Sequence, residues 1–179
     1  MNERMDSMPV GVVIERRDLD NPWQDHEWTV VSVVPGAGEI ADWLELARGD
    51  GWVRYHMGSS ILELHRKETE AYRVNLSNDP PMVYVVLRTT DDADEPHELE
   101  LFLVTASAYD AQDYLDSGED IVEAVVMPGD MVAWVQAFID THHVDEPFRK
   151  RKRKRYDPDA VGFGRPAPAD QRRKGNGVG

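Results

Sequence analysis

The sequence predicts an α+β domain: a mostly antiparallel bent sheet or partly open barrel with a C-terminal helix packed on it. Three observations carry this. Seven or eight short β-type segments, several rich in Val, are separated by Gly, Pro and Asp turns. The strand–helix alternation that a parallel sheet requires does not run through them. The last apolar segment, Met131 to His142, repeats at helical rather than strand spacing.

Taken in order, Val10 to Arg16 is an apolar run ending in charge, and Trp28 to Val34 is a Val-rich segment closed by Pro35-Gly36. Trp43 to Ala47 and Trp52 to Met57 flank Arg48-Gly49-Asp50-Gly51, a hairpin turn because Gly accepts the positive φ such turns need. Gly58-Ser59 reads as a second tight turn, leading into Ser60 to Arg66. That register places Val53, Tyr55, Leu62 and Leu64 on one face. It opposes Arg54 to Glu63 as a cross-strand ion pair. Glu68 to Leu76 forms a short helix, stopped by Asp79-Pro80-Pro81. Met82 to Thr90 and Glu98 to Thr105 are strands joined by an acidic loop, Ser107 to Leu115 is a helix ended by Ser117-Gly118, and Ile121 to Met127 is a strand. In the final helix, Met131, Trp134, Val135, Phe138 and His142 form the core-facing stripe, with Asp130 placed to cap it.

Charge divides the chain. Before Pro147 there are 31 acidic and nine basic residues, a net −22; from Pro147 onward there are three acidic and 11 basic residues, a net +8. The expected organisation is a flexible N-terminus over 1–8, one acidic α+β domain over 9–146, and a basic, largely disordered tail over 147–179. The acidity of the body opposes broad contact with nucleic acid or anionic membrane by that surface. No apolar run is long enough for a transmembrane helix, and the N-terminus has acids where a signal peptide has bases; the expectation is a cytoplasmic protein. With no cysteine, this chain by itself supplies no disulfide, thiolate nucleophile or Cys-based metal site.

Several motifs are weighed against this background. Gly36-Ala37-Gly38-Glu39-Ile40-Ala41 matches a GxGxxA spacing but lacks a βαβ setting, so it reads as a connecting loop. His142 and His143 are adjacent and diverge on a helix, which disfavours a shared metal ion. No carboxylate pair stands apart from the general acidity, and no Ser sits in a nucleophile-elbow setting. The candidate anion-binding patch is His65, Arg66, Tyr72, Arg73 and Asn75; the other reading is that these bases simply neutralise Glu63, Glu68 and Glu70. The candidate partner-binding element is the run Arg149, Lys150, Arg151, Lys152, Arg153, Lys154 and Arg155. It suits nucleic acid, an anionic membrane surface, an acidic partner, the acidic body itself, or solubility alone. It contains no interleaved aromatics for base stacking.

The segments Pro9 to Arg17, Pro22 to Trp28, Leu62 to Arg73, Asn75-Leu76, Tyr114 to Glu123, and His142-His143-Val144 with Pro147-Phe148 carry a resemblance. Together they resemble a bacterial domain-of-unknown-function family, over about Pro9 to Arg155. The resemblance implies a gene beside formate dehydrogenase and molybdenum-cofactor genes, often labelled molybdopterin-guanine dinucleotide biosynthesis protein A. The chain has no Gly-rich, Arg-containing GTP-binding loop, and its strand-rich pattern is not the doubly wound fold of that nucleotidyltransferase. The expected function is therefore a non-enzymatic accessory protein for assembly or maturation of a molybdenum-dependent formate dehydrogenase. The expected partner is that enzyme or its maturation machinery, with no resident cofactor. Alternatives are a protein that handles molybdopterin-guanine dinucleotide, its pyrophosphate held by His65, Arg66 and Arg73, or a nucleic-acid-associated regulator using the tail.

Overall fold

Two strands of fourteen residues each, β1 (Met5–Asp18) and β4 (Trp52–His65), lie antiparallel along their whole length and form the backbone of the first sheet. The computed structural model describes residues 5–91 and 97–145. The strand β2 (His26–Pro35) pairs with the later half of β1, and β3 (Leu44–Gly49) pairs with the first part of β4, giving the order β2-β1-β4-β3. The second sheet has the order β6-β5-β7, from β5 (Met82–Thr89), β6 (Leu99–Thr105) and β7 (Ile121–Val126). Every pairing is antiparallel. The helices are α1 (Thr69–Leu76), preceded by a 3-10 turn at Arg66–Glu68, α2 (Ala108–Ser117) and α3 (Gly129–His142). The α+β class holds, with two separate sheets in place of one partly open barrel.

The β3–β4 hairpin forms where expected, turning at Asp50-Gly51, with Gly51 at φ +74°. The second hairpin does not. β4 runs straight through Gly58-Ser59, and both residues pair with β1, as Val12↔Gly58 and Gly11↔Ser59. The irregularity there is a slip in register between Val12 and Val13, which bends the pair without reversing the chain. Arg54 consequently lies opposite Glu15, not Glu63. Its Nε donates to Glu15 Oε2 at 2.7 Å, while Arg17 holds Oε1 at 2.7 Å. Leu62 and Leu64 are fully buried on one face, as their alternation predicts, although the partner strand is β1. β1 also begins earlier than the flexible 1–8 segment implied: Met5 to Met8 pair with Leu62 to His65.

One core joins both sheets and the helices. Val10, Val12, Ile14, Leu62 and Leu64 from the first sheet meet Val83, Val85 and Leu87 from β5 and Met131, Val135, Phe138 and Ile139 from α3. At about 2 kcal/mol for each buried aliphatic side chain, the α3 stripe is a main stabilising contact. Trp134 adds a tie at its rim, donating from Nε1 to Asp6 Oδ2 at 2.9 Å. The helix starts at Gly129 with Pro128 in the capping position, so Asp130 lies in the first turn and is not the cap. α2 is capped as its sequence suggests: Ser107 Oγ accepts the Asp110 N–H at 3.2 Å, and Gly118 closes the C-terminus at φ +70°.

Two further ties position the elements. Glu123 on β7 accepts the Val30 N–H of β2 at 2.6 Å, linking the two sheets. Arg88 donates to Asp120 at 2.7 Å and lies 3.4 Å from the Phe102 ring centroid. The chain divides into two units, Met1–Val144 and Asp145–Gly179. The expected tail over 147–179, including Arg149 to Arg155, lies outside the described residues.

Candidate functional site

The most distinctive side-chain arrangement is an aromatic–histidine cluster at the margin of the core. Trp28 comes from β2, Trp43 from the residue before β3, Tyr55 from β4 and His97 from just before β6. The register explains the meeting. Trp28 pairs with Arg16 and Tyr55 with Ile14, so both stand on the inner face of the first sheet. Trp28 and Tyr55 are 6.1 Å apart between ring centroids, Trp28 and Trp43 5.6 Å, and Trp43 and Tyr55 5.7 Å. These rings are inclined to one another, which is the favoured aromatic geometry. His97 lies flat on Trp43, with centroids 3.8 Å apart and planes 24° from parallel, and stands edge-on to Trp28. All four are half-buried.

Two features separate this cluster from ordinary core. The Trp28 indole Nε1–H is buried and has no hydrogen-bond acceptor. An unsatisfied buried donor costs about 1–3 kcal/mol. Trp43 sits at φ 56°, the one non-Gly residue at positive φ among the described residues. Left-handed backbone at a bulky side chain stores about 1–3 kcal/mol, and such strain clusters at binding sites. Beside the cluster, His26 packs edge-on against Trp28, faces Arg16 through Nδ1 and pairs through Nε2 with Glu98.

A second feature is Trp23. It lies between β1 and β2 and is 91% exposed. Its backbone N–H donates to Asn21 Oδ1 at 2.9 Å, and the stretch also carries Asp18, Asp20 and Asp25, all exposed. An aromatic side chain held this far into solvent is the residue type that anchors protein interfaces.

The structure commits most members of the expected anion-binding patch to partners within the fold. Tyr72 is 1% exposed; its Oη donates to Glu68 Oε2 at 2.9 Å and accepts the His65 N–H at 3.0 Å. Asn75 is fully buried and committed to backbone: Nδ2 donates to the Met82 and Ala106 carbonyls at 2.7 and 2.8 Å, and Oδ1 accepts the Met82 N–H at 3.0 Å. Neither presents a polar group to an external anion. Arg73 donates to His143 Nε2 at 2.7 Å and lies 3.9 Å from Glu70, while His65 pairs with Glu63 at 3.1 Å. Arg66 is exposed. His65 thus has a carboxylate neighbour in Glu63, and Arg73 lies between His143 and Glu70.

A carboxyl pair that the sequence did not single out lies nearby. Asp110 on α2 lies beside Glu68 and accepts from Thr105 Oγ1 at 3.4 Å. Burial first, and then the Glu68 charge, raise the Asp110 carboxyl above its ordinary range. Burial likewise pushes the Tyr72 hydroxyl well up, keeping it a neutral donor. The GxGxxA segment is an irregular connection with no helix at its end. Its Ala37 packs against Gly11, where an added Cβ would meet His56 Nε2 at 2.7 Å. Among the described residues, no group of three or more His, Asp or Glu is placed to hold a metal ion, and no helix is long and apolar enough to cross a membrane.

A family profile described as "Protein of unknown function (DUF3305)" matches residues 9–152. The chain belongs to this family. The match spans the acidic domain and reaches into the basic run, as the resemblance indicated. Comparison with curated proteins and with solved structures gives no match.

Proposed function

We propose that the protein is a non-enzymatic accessory factor for assembly or maturation of a molybdenum-dependent formate dehydrogenase, acting by recognition of a protein partner. The genomic and enzymatic setting comes from the sequence resemblance. The observation that carries the recognition mode is Trp23, 91% exposed in a connection rich in Asp. A large aromatic anchor with flanking negative charge suits a partner surface that offers an apolar pocket rimmed by Lys or Arg. The run Arg149 to Arg155 supplies a second, oppositely charged element, so the two ends of the interaction would respond differently to salt.

The test is co-purification of the tagged full chain with formate dehydrogenase, followed by affinity measurement at low and moderate salt. Wild type associates; Trp23→Ala keeps its fold and loses tenfold or more in affinity, the scale of an interface hot spot. Removing Arg149 to Gly179 weakens binding mainly at low salt, because several surface charge contacts of about 0–1 kcal/mol act together. Absence of association by the wild-type chain would sink the reading.

A further inference from the structure

We infer that β3 is a self-pairing edge: two copies of the chain join β3 to β3, antiparallel about a two-fold axis, and run their first sheets together into one. The inference does not rest on recognition at Trp23. Among the described residues, β3 ends the order β2-β1-β4-β3 and pairs with β4 alone. All six of its residues are exposed, Leu44 to 46% and Leu46 to 50%. The other end of that order is blunted, because Glu123 of β7 takes the Val30 N–H of β2. An uncovered edge that carries apolar side chains is a template for another strand.

The residues of β3 specify a second copy as that strand. Leu44-Glu45-Leu46-Ala47-Arg48-Gly49 is set against itself with the axis between Leu46 and Ala47. Leu44 then opposes Gly49 of the second copy, Glu45 opposes Arg48 and Leu46 opposes Ala47, so every pair is matched in charge or in size. The faces agree. Glu45 and Arg48 lie opposite Tyr55 and Val53 of β4, while Leu44 and Gly49 lie opposite His56 and Trp52, so each pair joins side chains of one face. Glu45 and Arg48 share a face three residues apart because Leu46 is an extra residue, where the register slips between Glu45 and Ala47. The Trp52 indole lies so close over Gly49 that a Cβ there would strike it, so an incoming Leu44 meets the indole and no competing side chain. Neighbouring registers lose the match. With the axis on Leu46, Glu45 faces Ala47 and Leu44 faces Arg48; with the axis on Glu45, two carboxylates oppose one another.

The opposite reading is an edge protected from pairing by its bulge and its charges. Within one chain Arg48 already holds Glu45, Nε to Oε1 at 2.9 Å and Nη2 to Oε2 at 3.0 Å. Exchanging that partner between copies adds little attraction. Backbone pairing and the covering of Leu44 and Leu46 drive association, and the charges set its register.

Sedimentation velocity of the full chain, from micromolar to near-millimolar concentration, separates the two readings. Wild type should pass from monomer to dimer, and more readily as salt screens the repulsion between two acidic bodies. Glu45→Arg sets like charge against Arg48 of the second copy, and Arg48→Glu sets like charge against its Glu45. Each variant alone should therefore self-associate at least about tenfold more weakly. Both positions are exposed, so the fold is kept. Mixed one to one, the two variants should associate as wild type does. Every charged pair across the axis is then opposite in sign, while the pair inside each chain stays broken. Both variants remain strongly acidic, so mixing brings no general attraction. A wild type that stays monomeric at every concentration overturns the proposal, whatever other strand the edge accepts. Self-association undiminished in the single variants, or a mixture that associates no better than either variant alone, overturns the pairing through β3. None of these measurements includes formate dehydrogenase, so their failure is distinct from failure of partner recognition.

Discussion

Replacing Asn75 by Ala tests whether this residue is a structural bracket and not part of an anion site. Its side-chain amide is fully buried and joins α1 to the start of β5 and to the β6–α2 connection through three hydrogen bonds of 2.7–3.0 Å. Truncation leaves the Met82 N–H without that acceptor, at about 1–3 kcal/mol. Two carbonyls each lose a donor, a smaller loss because a carbonyl oxygen has a second lone pair. A total of about 3 kcal/mol follows, which for a domain of this size lowers Tm by about 10 °C. Urea denaturation followed by tryptophan fluorescence measures it. Asn75→Asp sharpens the test: its carboxylate still accepts from Met82 but turns an oxygen toward two carbonyls, so it should be at least as damaging at neutral pH. Acid should relieve it partly, as the protonated carboxyl regains one donor. A loss below about 1 kcal/mol in Asn75→Ala, or an Asn75→Asp penalty indifferent to pH, would refute the bracket.

Three other outcomes are expected. Asp110→Asn should raise stability at pH 7 by about 1 kcal/mol or less. The folded-state pKa of Asp110 lies above its unfolded value of about 3.9, so the acid form stabilises the fold at low pH and that contribution is lost as pH rises through the folded value; urea midpoints of variant and wild type should differ at pH 7 and converge in acid. Glu15 behaves oppositely: hydrogen bonds from Arg54 and then Arg17 hold its carboxyl below the ordinary range, so its contribution is present above the unfolded pKa of about 4.3 and lost as pH falls through the folded value. Glu15→Gln should cost about 1 kcal/mol at pH 7, kept small by the half-exposed arginines, and the same denaturation series should show the gap closing in acid. Gly11→Ala should destabilise by about 1–3 kcal/mol through overpacking, because its Cβ would press on His56 and Ala37; thermal unfolding reads it.

Local signals in the sequence located the elements, and long-range pairing decided where they failed. Asp50-Gly51 was legible because a positive-φ Gly between two β segments has few other uses. Gly58-Ser59 looked similar, yet pairing with β1 holds the chain extended there, and nothing between Trp52 and His65 reports that partner. The α3 stripe was legible from its period alone. Tyr72 and Asn75 were misplaced because their polarity suggested a surface, whereas their partners are a Glu one turn away and backbone groups on β5 and beyond β6. The aromatic cluster draws one ring from each of four segments, and only the sheet register reveals that Trp28 and Tyr55 share a face. The Glu68–Asp110 pair was hidden for the same reason.

The last helix of the domain closes over a face begun by its first strand, with Trp134 fastened to Asp6 and the α3 stripe set against Val10 to Ile14 and Leu62 to Leu64 in one core. During synthesis, every strand of the first sheet is available once His65 has been made, but the covering for its inner face, begun by β5, is complete only with residues 129–142. A chain interrupted before α3 is therefore not a smaller version of the domain; it leaves part of its apolar core open and prone to self-association. Completion of the final helix is the step that turns a sticky intermediate into a closed unit.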